Sequence, residues 1–141
     1  MPTEISEYAT KHQIRVYYED TDAGGIVFYA NYLKYFERAR TEWLRHLGIN
    51  QSDMTQTEQQ LFVVKKTEIE YIKSAKLDDL IDIHSKITHI GGASVHFAQE
   101  AWHNGDKLCQ STVVVVSVNA STMRATKLNP NLRLILENAQ D

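Results

Sequence analysis

Between Ala30 and Leu47, the residues Tyr32, Phe36, Ala39, Trp43 and Leu47 recur at spacings of three and four. That period puts them on one stripe of an α-helix. Glu37 with Arg40, Arg38 with Glu42, and Glu42 with His46 can pair on its outer face, and Gly48 stands where a C-cap belongs. A helix apolar on one side only must bury that side against another element. The remaining chain offers strands for the purpose. Residues 12–19 alternate and contain β-branched and aromatic residues, and four more strand-like runs follow at about 60–73, 80–90, 94–103 and 107–119. Leu77-Asp78-Asp79, Gly91-Gly92 and Asn104-Gly105 read as turns between them. These connections are too short for parallel crossovers, so the sheet is expected to be antiparallel. Residues 49–59 are polar and read as a loop or short helix, and 129–139 reads as a short helix begun near Pro130. One long helix with about five strands is an α+β arrangement.

A single helix cannot cover both faces of such a sheet. Val113 to Val116 are apolar at successive positions, as expected for a strand buried on both faces. A second copy of the chain is therefore expected to complete the core or extend the sheet. The 141 residues, 43% hydrophobic and 23% charged, suffice for one domain spanning 1–141, with its core over about 12–130. No repeat, linker or low-complexity segment divides it. The net charge of −3 lacks the basic excess of a nucleic-acid binder. No stretch approaches the roughly 20 apolar residues of a membrane span. Met1 to Lys11 is polar, without the apolar segment of a secretory leader, so a cytoplasmic location is expected. Cys109 is the one cysteine, which excludes an internal disulfide and reads as a small buried hydrophobe. The six histidines match no zinc-binding spacing, so no metal is expected, and no cofactor motif is present.

The segment most suited to chemistry is Tyr18-Glu19-Asp20-Thr21-Asp22-Ala23-Gly24-Gly25-Ile26-Val27-Phe28-Tyr29-Ala30-Asn31-Tyr32. Three acids and two glycines precede the start of the long helix. One reading is acidic turn and capping residues, attracted by the free N–H groups and dipole of the helix end. The other is a carboxylate held beside an oxyanion-binding helix N-terminus. Such a pair suits attack on a carbonyl, one group attacking or activating water and the other stabilising the oxyanion.

This segment resembles the active-site motif of hotdog-fold acyl-CoA thioesterases, Y-x-D-T-D-x-x-G-[IV]-V-[FY]-[YH]-A-N-Y. The resemblance is closer to those associated with the Tol-Pal envelope system, relatives of 4-hydroxybenzoyl-CoA thioesterase. It extends through Phe36-Glu37-Arg38-Ala39-Arg40-Thr41-Glu42, Phe62-Val63-Val64, Glu70-Tyr71 and Ala75-Lys76-Leu77-Asp78-Asp79, and covers about Ile14 to Pro130. It implies a hotdog fold, a five-stranded antiparallel sheet wrapped around one central helix. It implies a homodimer with the two sheets paired edge to edge, assembling further to a tetramer, and an active site at the dimer interface.

The family's catalytic carboxylate falls on Asp22, as nucleophile or as the base that activates water. The backbone N–H of Tyr29 falls where the family holds the thioester carbonyl oxygen. Gly25 falls on the glycine before the helix, where a Cβ could obstruct substrate. The side chains of Phe28 and Tyr29 become candidate substrate contacts. Tol-Pal-associated relatives often carry His at the position of Tyr29, whereas this chain has Tyr, as 4-hydroxybenzoyl-CoA enzymes do. Some aryl-CoA relatives carry basic residues where this chain has Gly91-Gly92-Ala93, which leaves Lys65, Lys66, Lys73 and Arg124 as candidates for the coenzyme A phosphates. Ser94 is a candidate contact contributed by a partner subunit.

The implied activity is hydrolysis of an acyl-CoA thioester to a carboxylic acid and coenzyme A, without a metal or redox cofactor. The alternative is a protein that binds acyl thioesters, or a partner such as acyl carrier protein, without hydrolysing them. A hotdog hydratase would need a His or paired-acid motif that this chain lacks.

Overall fold

The computed structural model describes residues 10–50, 54 and 59–140. The expected loop at 49–59 lies largely outside these residues, as does the N-terminal stretch before Thr10. Five strands, β1 (Thr10–Arg15), β2 (Gln60–Tyr71), β3 (Leu80–Ile90), β4 (Ser94–His103) and β5 (Asp106–Asn119), form one antiparallel sheet in the order β1-β3-β4-β5-β2. Helix α1 (Asn31–His46) lies across it, and α2 (Pro130–Gln140) closes one end. This is the hotdog arrangement.

Each element follows from local chemistry. Helix α1 buries Tyr32, Phe36, Ala39 and Trp43 of the expected stripe and adds Tyr35 and Leu44, while Leu47, its fifth member, is half-buried at the C-cap. It ends at Gly48, whose φ of +91° is a conformation glycine adopts at little cost. Asn104 and Gly105 both have positive φ, 49° and 84°, as the tight turn between β4 and β5 requires. Strand β1 is shorter at its far end than the expected 12–19. The Asp20 carboxylate accepts a hydrogen bond from the Tyr17 N–H at 2.9 Å and curls Tyr18–Asp20 into a 3-10 turn.

The inner face of the sheet meets α1 through Ile81, Ile83, Val95, Phe97, Val113 and Val115, all buried. Trp43 packs edge-on to Phe97, ring centroids 6.1 Å apart. Leu132 and Leu136 of α2 join this cluster. Each such side chain contributes about 1.5–3 kcal/mol by leaving water. Within one protomer only one face of Val113 to Val116 is buried. Val113 and Val115 are buried while Val114 and Val116 are only half-buried. Successive side chains point to opposite faces of a strand, and the helices cover one face.

Cys109 lies fully buried on β5, and burial pushes its thiol up to about 12. Unfolding would restore ordinary thiol acidity, so above that ordinary value the unfolded chain binds fewer protons than the folded one. This contribution to stability is complete below the ordinary thiol value and is lost as pH rises toward the folded one. Denaturant titrations at pH 7 and pH 10 are expected to show the lower stability at pH 10. A thiol reagent is expected to label Cys109 only under unfolding conditions.

Candidate active site

The loop after β1 is built around two acids with different surroundings. Asp20 is 7% exposed and its groups are spent on the backbone. Besides the carboxylate bond to Tyr17 N–H, its carbonyl accepts from the Phe28 N–H at 2.9 Å and from Asn31 Nδ2 at 2.8 Å. It is the residue that ties the loop to the start of α1. Asp22 is exposed. Its Oδ1 accepts from the Gly24 N–H at 2.8 Å, and its backbone closes a tight turn, Asp22 N–H to Ile26 carbonyl at 2.9 Å and Gly25 N–H to Asp22 carbonyl at 3.0 Å.

Gly25 sits in this turn with φ of +80°, and a Cβ built there meets nothing within 4 Å of the chain. Its requirement within the protomer is therefore the left-handed backbone, rather than the space a Cβ would occupy. The turn is fastened to the segment after β2, with Val27 N–H donating to the Ala75 carbonyl at 2.9 Å and Ile26 bridged to Lys76.

These connections bring Asp22 and Tyr29 into one cleft of about 210 Å³, lined also by Ile26, Val27, Tyr32, Tyr71, Ile72, Lys73 and Ser74. The cleft opens at the N-terminus of α1. Helix α1 has no side-chain cap. The N–H of Phe28 is taken by Asp20, and those of Asn31 and Tyr32 reach back to the carbonyls of Phe28 and Tyr29. The N–H groups of Tyr29 and Ala30 have no acceptor among the described residues, and Tyr29 is the one of the two that lines the cleft. A free backbone donor at a helix start, with an exposed carboxylate on the same cleft, is the pairing that carbonyl chemistry needs.

The rings of Tyr29, Tyr32 and Tyr71 line the cleft. Phe28 is not among the lining residues; it is 44% exposed and its ring centroid lies 4.8 Å from that of Tyr29, which is 62% exposed. Tyr32 is buried and accepts a hydrogen bond at its hydroxyl from the Ala75 N–H at 3.0 Å; burial pushes its acidity down, raising its pKa. Tyr71, at the end of β2, is one of the tyrosines that read in the sequence as core or interface aromatics, one or two of them facing an acyl pocket, and it belongs to the Glu70-Tyr71 match; it lines the cleft and touches Tyr29. Lys73 lies on the rim, paired with Asp106 at 3.3 Å.

Other candidates fall elsewhere in the protomer. Lys65 marks a register shift in β2, and Lys66 pairs loosely with Glu68 at 3.9 Å. Ser94 begins β4 opposite Val116, whereas the cleft end of the sheet is marked by Tyr71, Cys109 and Ala101. Seven residues of β4 separate these levels, about 23 Å at strand rise. Arg124 lies in the segment after β5. None of these four lines the cleft with Asp22.

A family model described as the thioesterase superfamily matches residues 24–110. The chain belongs to the thioesterase superfamily. Its relatives include an acyl-CoA thioesterase, YbgC, from Haemophilus influenzae, 45% identical over 111 residues, covering 79% of this chain and 82% of the relative. An acyl-CoA thioester hydrolase, also YbgC, from Escherichia coli O157:H7 is 42% identical over 116 residues, covering 82% and 86%. The fold also matches a solved 1,4-dihydroxy-2-naphthoyl-CoA thioesterase from Synechocystis, with a TM-score of 0.85, 15% identity and coverage of 91% and 95%. The superfamily match begins two residues after Asp22.

Proposed function

We propose that the Asp22–Tyr29 cleft is the catalytic centre of an acyl-CoA thioesterase. The chain hydrolyses an acyl-CoA thioester to a carboxylic acid and coenzyme A. The observation that carries the site assignment is the exposed Asp22 carboxylate on one cleft with the unused Tyr29 N–H. With the thioester carbonyl oxygen on that N–H, negative charge developing on the oxygen meets a fixed donor at the positive end of α1. Asp22 acts at the carbonyl carbon in one of two ways. As a nucleophile it forms a mixed anhydride and releases the thiolate, after which water cleaves the anhydride. As a general base it takes a proton from water as the water adds, and the thiolate then leaves. The exposed rings of Phe28 and Tyr29 offer apolar contact to the acyl group or the pantetheine arm.

The cleft reaches the end of β2 at Tyr71, and β2 is an edge strand with residues 64–68 exposed. An exposed long edge is a template for another strand. Antiparallel pairing of two β2 edges about a two-fold axis reverses the second strand. The Lys65–Ser94 end of one protomer then lies beside the Asp22–Tyr71 end of its partner. A homodimer of this kind, itself paired into a tetramer, gives Lys65, Lys66 and Ser94 a route to the substrate that one protomer lacks. Among the described residues no helix is long and apolar enough to cross a membrane; we place the single hotdog domain in the cytoplasm.

The test is a hydrolysis screen, by thiol release, over short, long and aromatic acyl-CoAs, run beside light scattering on the same samples. Turnover by a dimer or tetramer is expected. A fully active monomer would overturn the interfacial site, and binding without turnover across the whole panel would overturn the assignment of hydrolysis to this cleft.

A further inference from the structure

Tyr71 is the last residue of β2, and its hydroxyl is committed to one bond, donated to the backbone carbonyl of Tyr29 at 3.0 Å. Its ring meets the Tyr29 ring nearly at right angles, centroids 5.9 Å apart, and the Tyr32 ring at 5.8 Å. The first turn of α1 lacks a side-chain cap. The Asn31 N–H holds the Phe28 carbonyl at 2.8 Å, but the backbone bonds onto the next two carbonyls are longer, Tyr32 N–H to Tyr29 carbonyl at 3.3 Å and Leu33 N–H to Ala30 carbonyl at 3.2 Å. On one side Asn31 Nδ2 fastens the turn to Asp20. On the other side Tyr71 fastens it to the sheet.

We propose that Tyr71 is the positioning residue for the oxyanion donor: its hydroxyl locks the Tyr29 carbonyl, and with it the direction of the Tyr29 N–H. The inference rests on reading that N–H as the donor to the thioester oxygen. The physical link is short. Peptide units are rigid planes, so only the φ and ψ of Tyr29 separate its carbonyl from its own N–H. Fixing the carbonyl from the sheet and the ring by two aromatic contacts leaves the N–H little freedom to swing. A donor held in place before the reaction stabilises developing charge without reorganising. Although Tyr71 is 42% exposed, its partial desolvation, with the nearby Cys109 and Tyr29, raises its pKa, so the hydroxyl keeps the proton it donates. With that proton on the Tyr29 carbonyl, Tyr71 acts through the backbone and does not itself protonate the leaving thiolate.

Tyr71→Phe removes the hydroxyl and keeps both ring contacts. It is expected to lower kcat about tenfold, less than the 10²–10³-fold loss of an outright donor deletion. KM is expected to stay within about twofold, because a lock felt in the transition state is not a substrate contact. The thermal midpoint is expected to stay close to wild type, and the amide resonances of Tyr29 and Ala30 are expected to shift in a ¹H–¹⁵N spectrum. A wild-type kcat in Tyr71→Phe, beside an inactive Asp22→Asn, would overturn the role of Tyr71 alone. A raised KM at unchanged kcat would also overturn it, by making Tyr71 a substrate contact. An active Asp22→Asn would instead overturn the reading of the site, and the two amide resonances would still decide whether Tyr71 holds Tyr29.

Discussion

Asp22→Asn is expected to lower kcat by about 10²–10⁴-fold, the range for removing a positioned general base, and by at least as much if the carboxylate is the nucleophile. Asparagine is the informative replacement. Its side-chain oxygen can still accept the Gly24 N–H that Asp22 Oδ1 holds at 2.8 Å, so the turn that presents the group survives. What is lost is the negative charge and the ability to attack or to take a proton. Because the side chain is exposed, unfolding free energy is expected to change by no more than about 0.5 kcal/mol. Steady-state kinetics and denaturant melts on one preparation separate the two effects. A variant that keeps most of its turnover would remove Asp22 from the chemistry. Asp20→Asn probes the other acid, because that side chain holds the Tyr17 N–H and builds the loop.

The second large effect is on stability. Gln99 is 1% exposed on the helix-facing side of β4. Its amide nitrogen donates to the Phe36 carbonyl at 3.0 Å and to Ser85 Oγ at 2.9 Å, and its oxygen accepts from Arg40 at 2.8 Å. Burial lowers the pKa of Arg40, which shows that its charge sits in a costly place. Gln99→Leu would leave that guanidinium facing an apolar wall, and is expected to cost about 2–3 kcal/mol. Adding Arg40→Met should recover part of the loss, since replacing both partners by apolar groups leaves no orphaned charge. Urea titrations of the two singles and the double close the cycle. A Gln99→Leu variant within 0.5 kcal/mol of wild type would mean that this network contributes little. Because the network ties the middle of α1 to the sheet, the helix start and its N–H groups are expected to become less well placed in Gln99→Leu as well.

Much of this architecture is legible in the sequence alone. The stripe through Tyr32, Phe36, Ala39 and Trp43, the Asn-Gly turn, and the alternating strands specify themselves through local period and local backbone preference. The same holds for Gly48, because a helix end in the left-handed region selects glycine whatever surrounds it. Two stretches were not settled by local sequence alone. The end of β1 and the four valines of β5 depend on what lies beside them: a curl tied by Asp20 in one case, and an outer sheet face the helices do not cover in the other.

At the site, the sequence determined that a carboxylate-rich turn precedes the long helix, and the motif singled out Asp22 and Tyr29. The motif gave the chemistry to Asp22 and left Asp20 as a loop-shaping acid, but two acids separated by one threonine do not by themselves show what each carboxylate touches. Tertiary structure decided that, by spending Asp20 on Tyr17, Phe28 and Asn31 and leaving Asp22 in the open cleft. It also brought Tyr71, 42 residues further along, onto the Tyr29 carbonyl. Local propensities and periods act within a few residues. A hydrogen bond between the end of an edge strand and the start of a helix exists only once sheet register and helix placement are both fixed.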